Sequence, residues 1–122
     1  MDTRERIFEK AEELGRVISQ TPEIAYLQSA HRDIGDDREA AEMLNRLQQL
    51  QESLLELVGR GEEPTEEQEQ EYTDLQEKIQ TSTRYQALIS AQTNFDKLME
   101  KVHRTIGEGI RKGEESRIIL SS

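Results

Sequence analysis

Apolar residues recur at alternating gaps of three and four in the middle of the chain, and this spacing predicts a long amphipathic helix. The six positions are Ala40, Met43, Leu47, Leu50, Leu54 and Leu57. They form one apolar stripe, while the other faces of the helix carry Glu, Gln, Arg and Asn. A helix with such a stripe packs against another helix. We predict that it begins at the Gly35-Asp36-Asp37 break, with Asp36 and Glu39 as a variant capping box, and runs to Val58.

Two shorter helices are predicted before this one. The first begins after Asp2 or Thr3, either of which can cap it, and runs to about Ser19. Its apolar stripe consists of Ile7, Ala11, Leu14 and Ile18. The second opens with Thr21 as its cap and Pro22 at its first position, where the missing N–H costs nothing. The residues that should face inward on it are Ile24, Leu27, Ala30 and Ile34.

A short loop follows the long helix and predicts an antiparallel return. The segment Gly59-Arg60-Gly61-Glu62-Glu63-Pro64 breaks the helix, and Thr65 with Gln68 restarts it. A connection of this length brings the next helix back along the previous one. The apolar residues of the return are Tyr72, Leu75 and Ile79.

The polar trio Thr81-Ser82-Thr83 either caps a new helix or decorates a continuous one, and we predict a break there. The stripe then continues through Leu88, Ala91, Phe95, Leu98, Val102 and Ile106. Gly107, Gly109 and Gly113 should fray the end of this helix. We therefore predict one helical domain over residues 1–113 and a tail over 114–122. The tail contains an apolar cluster, Ile118 to Leu120. This cluster could dock on a partner subunit, or the whole tail could be disordered, and the sequence does not decide between the two.

The composition of the chain, together with these predicted helices, indicates the fold class. Of the 122 residues 33% are apolar and 4% aromatic, while 34% are charged, which suits long amphipathic helices better than a layered globule. We predict an all-α fold, an antiparallel hairpin or bundle of long helices with a shorter N-terminal helix pair. A thin core favours oligomerisation, so we expect a homo-oligomer, with a dimer favoured. The positions expected to hold core or subunit packing are Leu47, Leu50, Leu54, Leu57, Leu75, Phe95, Leu98 and Val102.

The net charge of −10 disfavours direct nucleic-acid binding, because such affinity comes mostly from Lys and Arg that neutralise phosphates. The charge is uneven: residues 96–117 hold six basic and five acidic side chains, a balance of +1, which leaves −11 for the rest. A basic protein surface is therefore the expected partner of the acidic part.

The chain contains no cysteine, which excludes disulfides, cysteine nucleophiles and cysteine-ligated metal sites. It has no run of about 18 apolar residues that could span a membrane, and its first residues lack the apolar stretch of a signal peptide. We expect no membrane partner and a cytoplasmic location.

No pattern of catalytic or metal-binding residues stands out. His31 and His103 are the only histidines, and neither lies in a metal-binding spacing. No serine lies in a GxSxG motif, and no glycine-rich phosphate loop follows a strand. Tyr26, Tyr72 and Tyr85 are too dispersed for a base-stacking platform. We expect no catalytic residue, no cofactor and no bound metal.

The order of several short motifs resembles the YlbF/YmcA family of small bacterial regulators. The first are Leu14-Gly15-Arg16-Val17-Ile18, Thr21-Pro22-Glu23 with Tyr26, and the Asp36-Asp37 break. The others are the stripe that ends in Gly59, the Gly-Glu-Glu-Pro-Thr-Glu-Glu turn, and Asn94-Phe95-Asp96-Lys97-Leu98-Met99 followed by Val102 and Ile106. The resemblance covers about residues 5 to 112, and it rests on the succession and spacing of these motifs.

The resemblance implies an all-helical, oligomeric protein without catalytic activity. Some members of that family join a complex that affects RNA maturation through ribonuclease Y, and thereby competence, biofilm formation and sporulation. Those members hold iron–sulfur clusters with cysteines, which this chain lacks, so it is most similar to the cysteine-free, YheA-like branch. The leading hypothesis is a regulatory adaptor that acts by helix-mediated contacts. A holdase-like chaperone and direct RNA binding through residues 96–117 are the alternatives.

Overall fold

The computed structural model describes residues 2–121, with side chains described for residues 2–116. This part of the chain is all-α and contains five helices and no strand. The helices are α1 (Thr3–Ile18), α2 (Pro22–Asp36), α3 (Arg38–Gly59), α4 (Glu66–Ile79) and α5 (Thr83–Ser121). The predicted all-α architecture of amphipathic helices is confirmed. Oligomerisation stays a prediction.

Short polar side chains cap the helices as the sequence predicted. The Asp2 carboxylate accepts a hydrogen bond of 2.8 Å from the Glu5 backbone N–H at the start of α1. The Thr21 hydroxyl accepts from the Ile24 N–H at the start of α2, where Pro22 takes the first helical position. Thr65 and Gln68 form a complete capping box at the start of α4, with hydrogen bonds of 2.9 and 3.1 Å. Each bond satisfies a donor that the first helical turn leaves free.

The predicted cap of α3 was wrong by one residue. Helix α2 runs through Gly35 to Asp36, so Asp36 is the last residue of α2 and cannot cap α3. Asp37 takes that role: its backbone is extended, and its carboxylate accepts a hydrogen bond of 3.2 Å from the Ala40 N–H. Only this residue, with its extended backbone, separates α2 from α3, so the chain changes from one helix to the next without a loop.

Helix α3 ends in a Schellman motif that turns the chain toward α4. The Glu62 N–H donates to the Leu57 carbonyl at 2.9 Å, and the Gly61 N–H donates to the Val58 carbonyl at 3.0 Å. This pair of bonds requires a left-handed residue after the cap, and Gly61 has a φ of 75°. Glycine adopts this conformation without the steric penalty of a side chain.

Two packing regions hold the helices together. In the first, α3 and α4 form the predicted antiparallel hairpin, with Leu47, Leu50 and Ile79 buried in it. In the second, α2 contacts α3 and the N-terminal half of α5. Helices α2 and α5 are antiparallel, because Arg84 at the start of α5 donates to the Asp33 carbonyl near the end of α2, whereas Glu23 at the start of α2 lies beside Lys97. The buried residues at this junction are Ala30, Ile34, Ala40, Leu88 and Ala91. The small alanines on α2 and α5 let the two helix backbones approach closely.

The predicted break between α4 and α5 is confirmed. Helix α4 ends at Ile79, and α5 begins at Thr83. The Ser82 hydroxyl accepts a hydrogen bond of 3.2 Å from the Tyr85 N–H, so it acts as the cap of α5. This interruption separates the hairpin from the long last helix.

The expectation that three glycines would fray α5 was wrong. The helix continues through Gly107, Gly109 and Gly113 to Ser121. Each glycine costs about 1 kcal/mol relative to alanine, a penalty too small to end a helix that is already formed. The apolar cluster from Ile118 to Leu120 belongs to this helix by its backbone, but its side chains lie outside the described ones. The division into a domain over 1–113 and a tail over 114–122 stays a prediction.

Candidate protein-interaction surfaces

A bidentate ion pair joins the two arms of the hairpin. Arg46 on α3 donates two hydrogen bonds to the carboxylate of Glu71 on α4, at 2.6 and 3.0 Å. Nearer the open end of the hairpin, Lys78 lies 3.7 Å from Glu39, and nearer the loop Gln51 donates to the Tyr72 hydroxyl at 3.2 Å. These pairs lie outside the buried leucines and fix the register of α4 on α3.

The ion pair shifts the ionisation of both partners. The two hydrogen bonds from Arg46 favour the charged carboxylate, so the pKa of Glu71 lies below its ordinary value. The hydrogen bonds and the charge of Glu71 raise the pKa of Arg46 in turn. A carboxylate with a lowered pKa stabilises the fold above its unfolded pKa, and this contribution is lost as the pH falls through the folded pKa.

We therefore expect Glu71→Gln to lower the melting temperature at neutral pH but not at strongly acid pH. At neutral pH the wild-type chain has the charged pair and the variant lacks it. Below the folded pKa of Glu71 the wild type loses the pair as well, so the two melting temperatures converge. Thermal melts followed by circular dichroism over a pH series measure this difference. Glu77→Gln changes an exposed residue of the same helix and serves as the control. Its melting temperature should stay close to that of the wild type throughout the pH series.

The loop end of the hairpin is acidic and partly apolar. Residues 38–79 carry a net charge of −8, and residues 52–71 around the loop hold eight of the twelve acidic side chains but only one of the four basic ones. On the same end, Leu55 and Val58 are 72% and 67% exposed. They lie three residues apart and therefore on one face of α3. We call Leu55, Val58 and the acidic segment from Glu62 to Glu69 the acidic tip.

A second exposed apolar surface lies on α1 and the C-terminal half of α5. Helix α2 covers only the N-terminal half of α5, because α2 has 15 residues and α5 has 39. Beyond the end of α2, Leu14 of α1 lines an open groove with Val102 and Ile106 of α5. None of the residues of α1 is buried. We call the exposed apolar residues of these two helices the distal face: Ile7, Phe8, Leu14, Val17, Ile106 and Ile110.

The eight residues predicted to hold core or subunit packing differ in how far the chain itself covers them. Leu47 and Leu50 are buried. The other six are half-buried: Leu54, Leu57, Leu75, Phe95, Leu98 and Val102. A role for any of them in contacts between subunits stays a prediction.

Sequence reasoning missed both exposed surfaces, although the signal was present. Phe8 and Val17 flank the predicted stripe of α1 on opposite sides and widen it to about half of the helix circumference. Leu55 and Val58 each follow a stripe residue by one position, which places them beside the stripe and away from α4. An apolar residue just outside a regular stripe is the sequence feature that marks such a surface.

The titratable and aromatic residues considered from the sequence are dispersed in the structure. His31 and His103 are both exposed, on α2 and α5. Tyr26 is exposed, while Tyr72 and Tyr85 are half-buried and pack in different regions. Among the described residues, no three His, Asp or Glu side chains are grouped in a way that could hold a metal ion.

Within residues 2–121, no helix combines the length and the apolar character that crossing a bilayer requires.

Comparison with known proteins gives one family and several similar bacterial proteins. The profile of a family described as "Control of competence regulator ComK, YlbF/YmcA" matches residues 7–111. A UPF0342 protein of Lactobacillus acidophilus is 23% identical over 104 residues, which cover 85% of this chain and 90% of that protein. A UPF0342 protein of Desulfitobacterium hafniense is 27% identical over 104 residues, which cover 85% and 79%. A UPF0342 protein of Streptococcus uberis is 26% identical over 102 residues, which cover 84% and 91%. The matched region includes all of α2, α3 and α4, together with about three quarters of α1 and of α5.

Proposed function

Because the chain belongs to the YlbF/YmcA family of competence-control regulators, we propose that it is a non-enzymatic regulatory adaptor in the cytoplasm that binds other proteins through its helical faces. The family's description supports a regulatory role in competence or development. The single observation that carries the adaptor role is the acidic tip, where two large apolar side chains are exposed in a strongly acidic surrounding.

The composition of the acidic tip specifies the chemistry of its partner. Leu55 and Val58 lose their contact with water only if a partner covers them, and apolar residues at the centre of an interface supply most of its affinity. The surrounding glutamates repel acidic surfaces and attract basic ones. The proposed partner surface is therefore an apolar patch surrounded by Lys and Arg. It belongs to a protein, because nucleic acid would be repelled by the −8 charge of residues 38–79.

Complementation in the native host tests the proposal. Deletion of the gene should change the processing or abundance of specific transcripts, and the wild-type protein should restore them. Leu55→Gln with Val58→Gln removes the apolar part of the tip while keeping good helix formers, so it should fold normally and fail to restore these transcripts.

A matched variant separates an adaptor from an enzyme. His31→Ala with His103→Ala removes every imidazole of the chain, yet it should restore the transcripts fully, because the exposed histidines lie on α2 and α5 and the tip belongs to α3, the loop and α4. Full activity of the Gln variant would contradict the role of the tip. Loss of activity in a folded histidine variant would contradict the non-enzymatic role.

Self-association is the second part of the proposal. The chain exposes 9898 Å² of accessible surface and has a mass of 14.1 kDa, whereas a compact monomer of that mass exposes about 6700 Å². A chain this extended buries more of its apolar surface when copies associate, and we propose a homodimer.

A holdase-like chaperone is the alternative function, and the exposed apolar residues of the distal face favour it. In that case the protein should suppress the heat-induced aggregation of a model client at equal molar amounts. Phe8→Asp should weaken the suppression. Absence of suppression by the wild-type protein would contradict this alternative.

A further inference from the structure

Helix α1 is covered only in part by its own chain. It has 16 residues, and none of them is buried. Isolated helices shorter than about 12 to 15 residues are marginal in water even when they are rich in alanine, and α1 barely exceeds that length. Most helical stability in proteins comes from packing of the apolar face. Phe8 at 66% and Ile110 at 60% are the most exposed members of the distal face.

The area of the distal face matches what a dimer interface needs. From their exposed fractions, its six apolar residues present roughly 600 Å² of accessible surface, compared with about 800 Å² per partner in an interface of standard size. The polar residues around them supply the remainder. The Leu14 groove then lies within the interface and gives it a concave part.

The net charges of α1 and α5 favour a second copy of this chain as the partner that covers the distal face. Residues 2–18 hold five acidic and four basic side chains, a net charge of −1, whereas residues 103–121, the C-terminal half of α5, hold three acidic and four basic ones, a net charge of +1. Two copies can therefore bring these helices together without the repulsion that two acidic hairpins would suffer. The opposite signs favour α1 of one copy against α5 of the other.

We infer that the distal face is covered by the same face of a second copy, with α1 of each chain packed on the C-terminal half of α5 of the other about a twofold axis. This inference rests on the self-association proposed above and adds the surface and the pairing of helices. It leaves the two acidic tips free, so that one dimer presents two partner-binding sites.

Sedimentation equilibrium tests the location of the interface. The wild type should be a dimer, with twice the mass of the 14.1 kDa chain. Phe8→Asp with Ile110→Asp buries two carboxylates per chain in the proposed interface, so the dissociation constant should rise by at least about 100-fold. The control, Leu55→Asp with Val58→Asp, places the same charges on equally exposed apolar residues of the acidic tip and should remain dimeric.

The possible outcomes separate this inference from the wider proposal. A wild type that is monomeric at every concentration would overturn self-association together with this inference, and the face would then belong to another partner. A dimeric wild type whose distal-face variant remains equally dimeric would overturn only the location. Neither result affects the test of the acidic tip by complementation.

Cross-linking tests the pairing of helices with milder substitutions. Because the chain has no cysteine, single cysteines can be introduced without background. A copy with Ala11→Cys on α1 is mixed with a copy with Gly109→Cys on α5, where an added side chain meets no atom within 4 Å. A short bis-maleimide should join the two different copies. Ala11→Cys mixed with Leu55→Cys should give no mixed product. A product only between two Ala11→Cys copies, or none although each thiol reacts, would contradict the pairing of α1 with α5.

Discussion

Leu50→Asp is expected to unfold the hairpin and with it most of the chain. Leu50 is 4% exposed and lies in the buried seam between α3 and α4. A carboxylate at this position would lose its hydration, and the arginine one turn earlier, Arg46, is already paired with Glu71. Burying such a charge costs roughly 3 kcal/mol or more. That cost is a large fraction of the total stability of about 5 to 15 kcal/mol that native domains possess. Far-UV circular dichroism should show the loss of helix at room temperature or a melting transition lowered by many degrees.

A substitution at the neighbouring position distinguishes the effect of burying a charge from the effect of adding a charge to the helix. Gln49→Asp places the same side chain one position earlier, on an exposed face of α3. It should change the melting temperature only slightly, since surface substitutions usually alter stability by less than about 0.5 kcal/mol. Equal melting temperatures for Leu50→Asp and the wild type would contradict the placement of the stripe in the core.

Truncation of Ile79 is expected to have the second largest effect. Ile79 is the only fully buried large side chain among the described residues, at 0% exposure. It lies at the last turn of α4, where that helix meets α3. Ile79→Ala removes packing and leaves a cavity, which should cost about 2 to 5 kcal/mol, and Ile79→Val should cost about 0.5 to 1.5 kcal/mol.

Chemical denaturation measures this graded series. The midpoint should fall from wild type to Ile79→Val to Ile79→Ala, with an unchanged slope, because the surface exposed on unfolding stays nearly the same. Leu55→Ala is the control, since Leu55 is mostly exposed and its truncation leaves no cavity. If the Leu55 variant lost as much stability as the Ile79 variant, the division between core and exposed face in the hairpin would be wrong.

Local signals in the sequence predicted most of the helix boundaries because capping depends on residues three positions apart. Thr65 and Gln68 identify the start of α4 without any knowledge of the rest of the fold. The choice between Asp36 and Asp37 was different, because both are good acceptors. It depends on where α2 ends: the Asp37 N–H still donates to the Ile34 carbonyl at 3.1 Å, which keeps Asp36 helical.

The exposed surfaces could be predicted only in part. Periodicity shows that one face of α1 is apolar, but it contains no information about which element covers that face. Only the structure shows that α2, with its shorter length, covers the N-terminal half of α5 and leaves Ile106 and Ile110 exposed farther along that helix. The acidic tip combines a charge distribution that the sequence shows with the exposure of Leu55 and Val58, which required the packing of α4 on α3.

The molecule divides into a core that the chain completes alone and a distal face that, in our proposal, a second copy completes. Hydrogen–deuterium exchange on the wild type and on Ile110→Asp measures this division most directly. In the wild type, amides of α1 should be protected although none of its residues is buried within its own chain. In Ile110→Asp, where the substitution lies on α5, the amides of α1 should exchange much faster, while those around Ala30 and Ala91 keep their protection. Equal protection of α1 in the two proteins, or rapid exchange of α1 already in the wild type, would contradict the claim that a second copy covers the distal face.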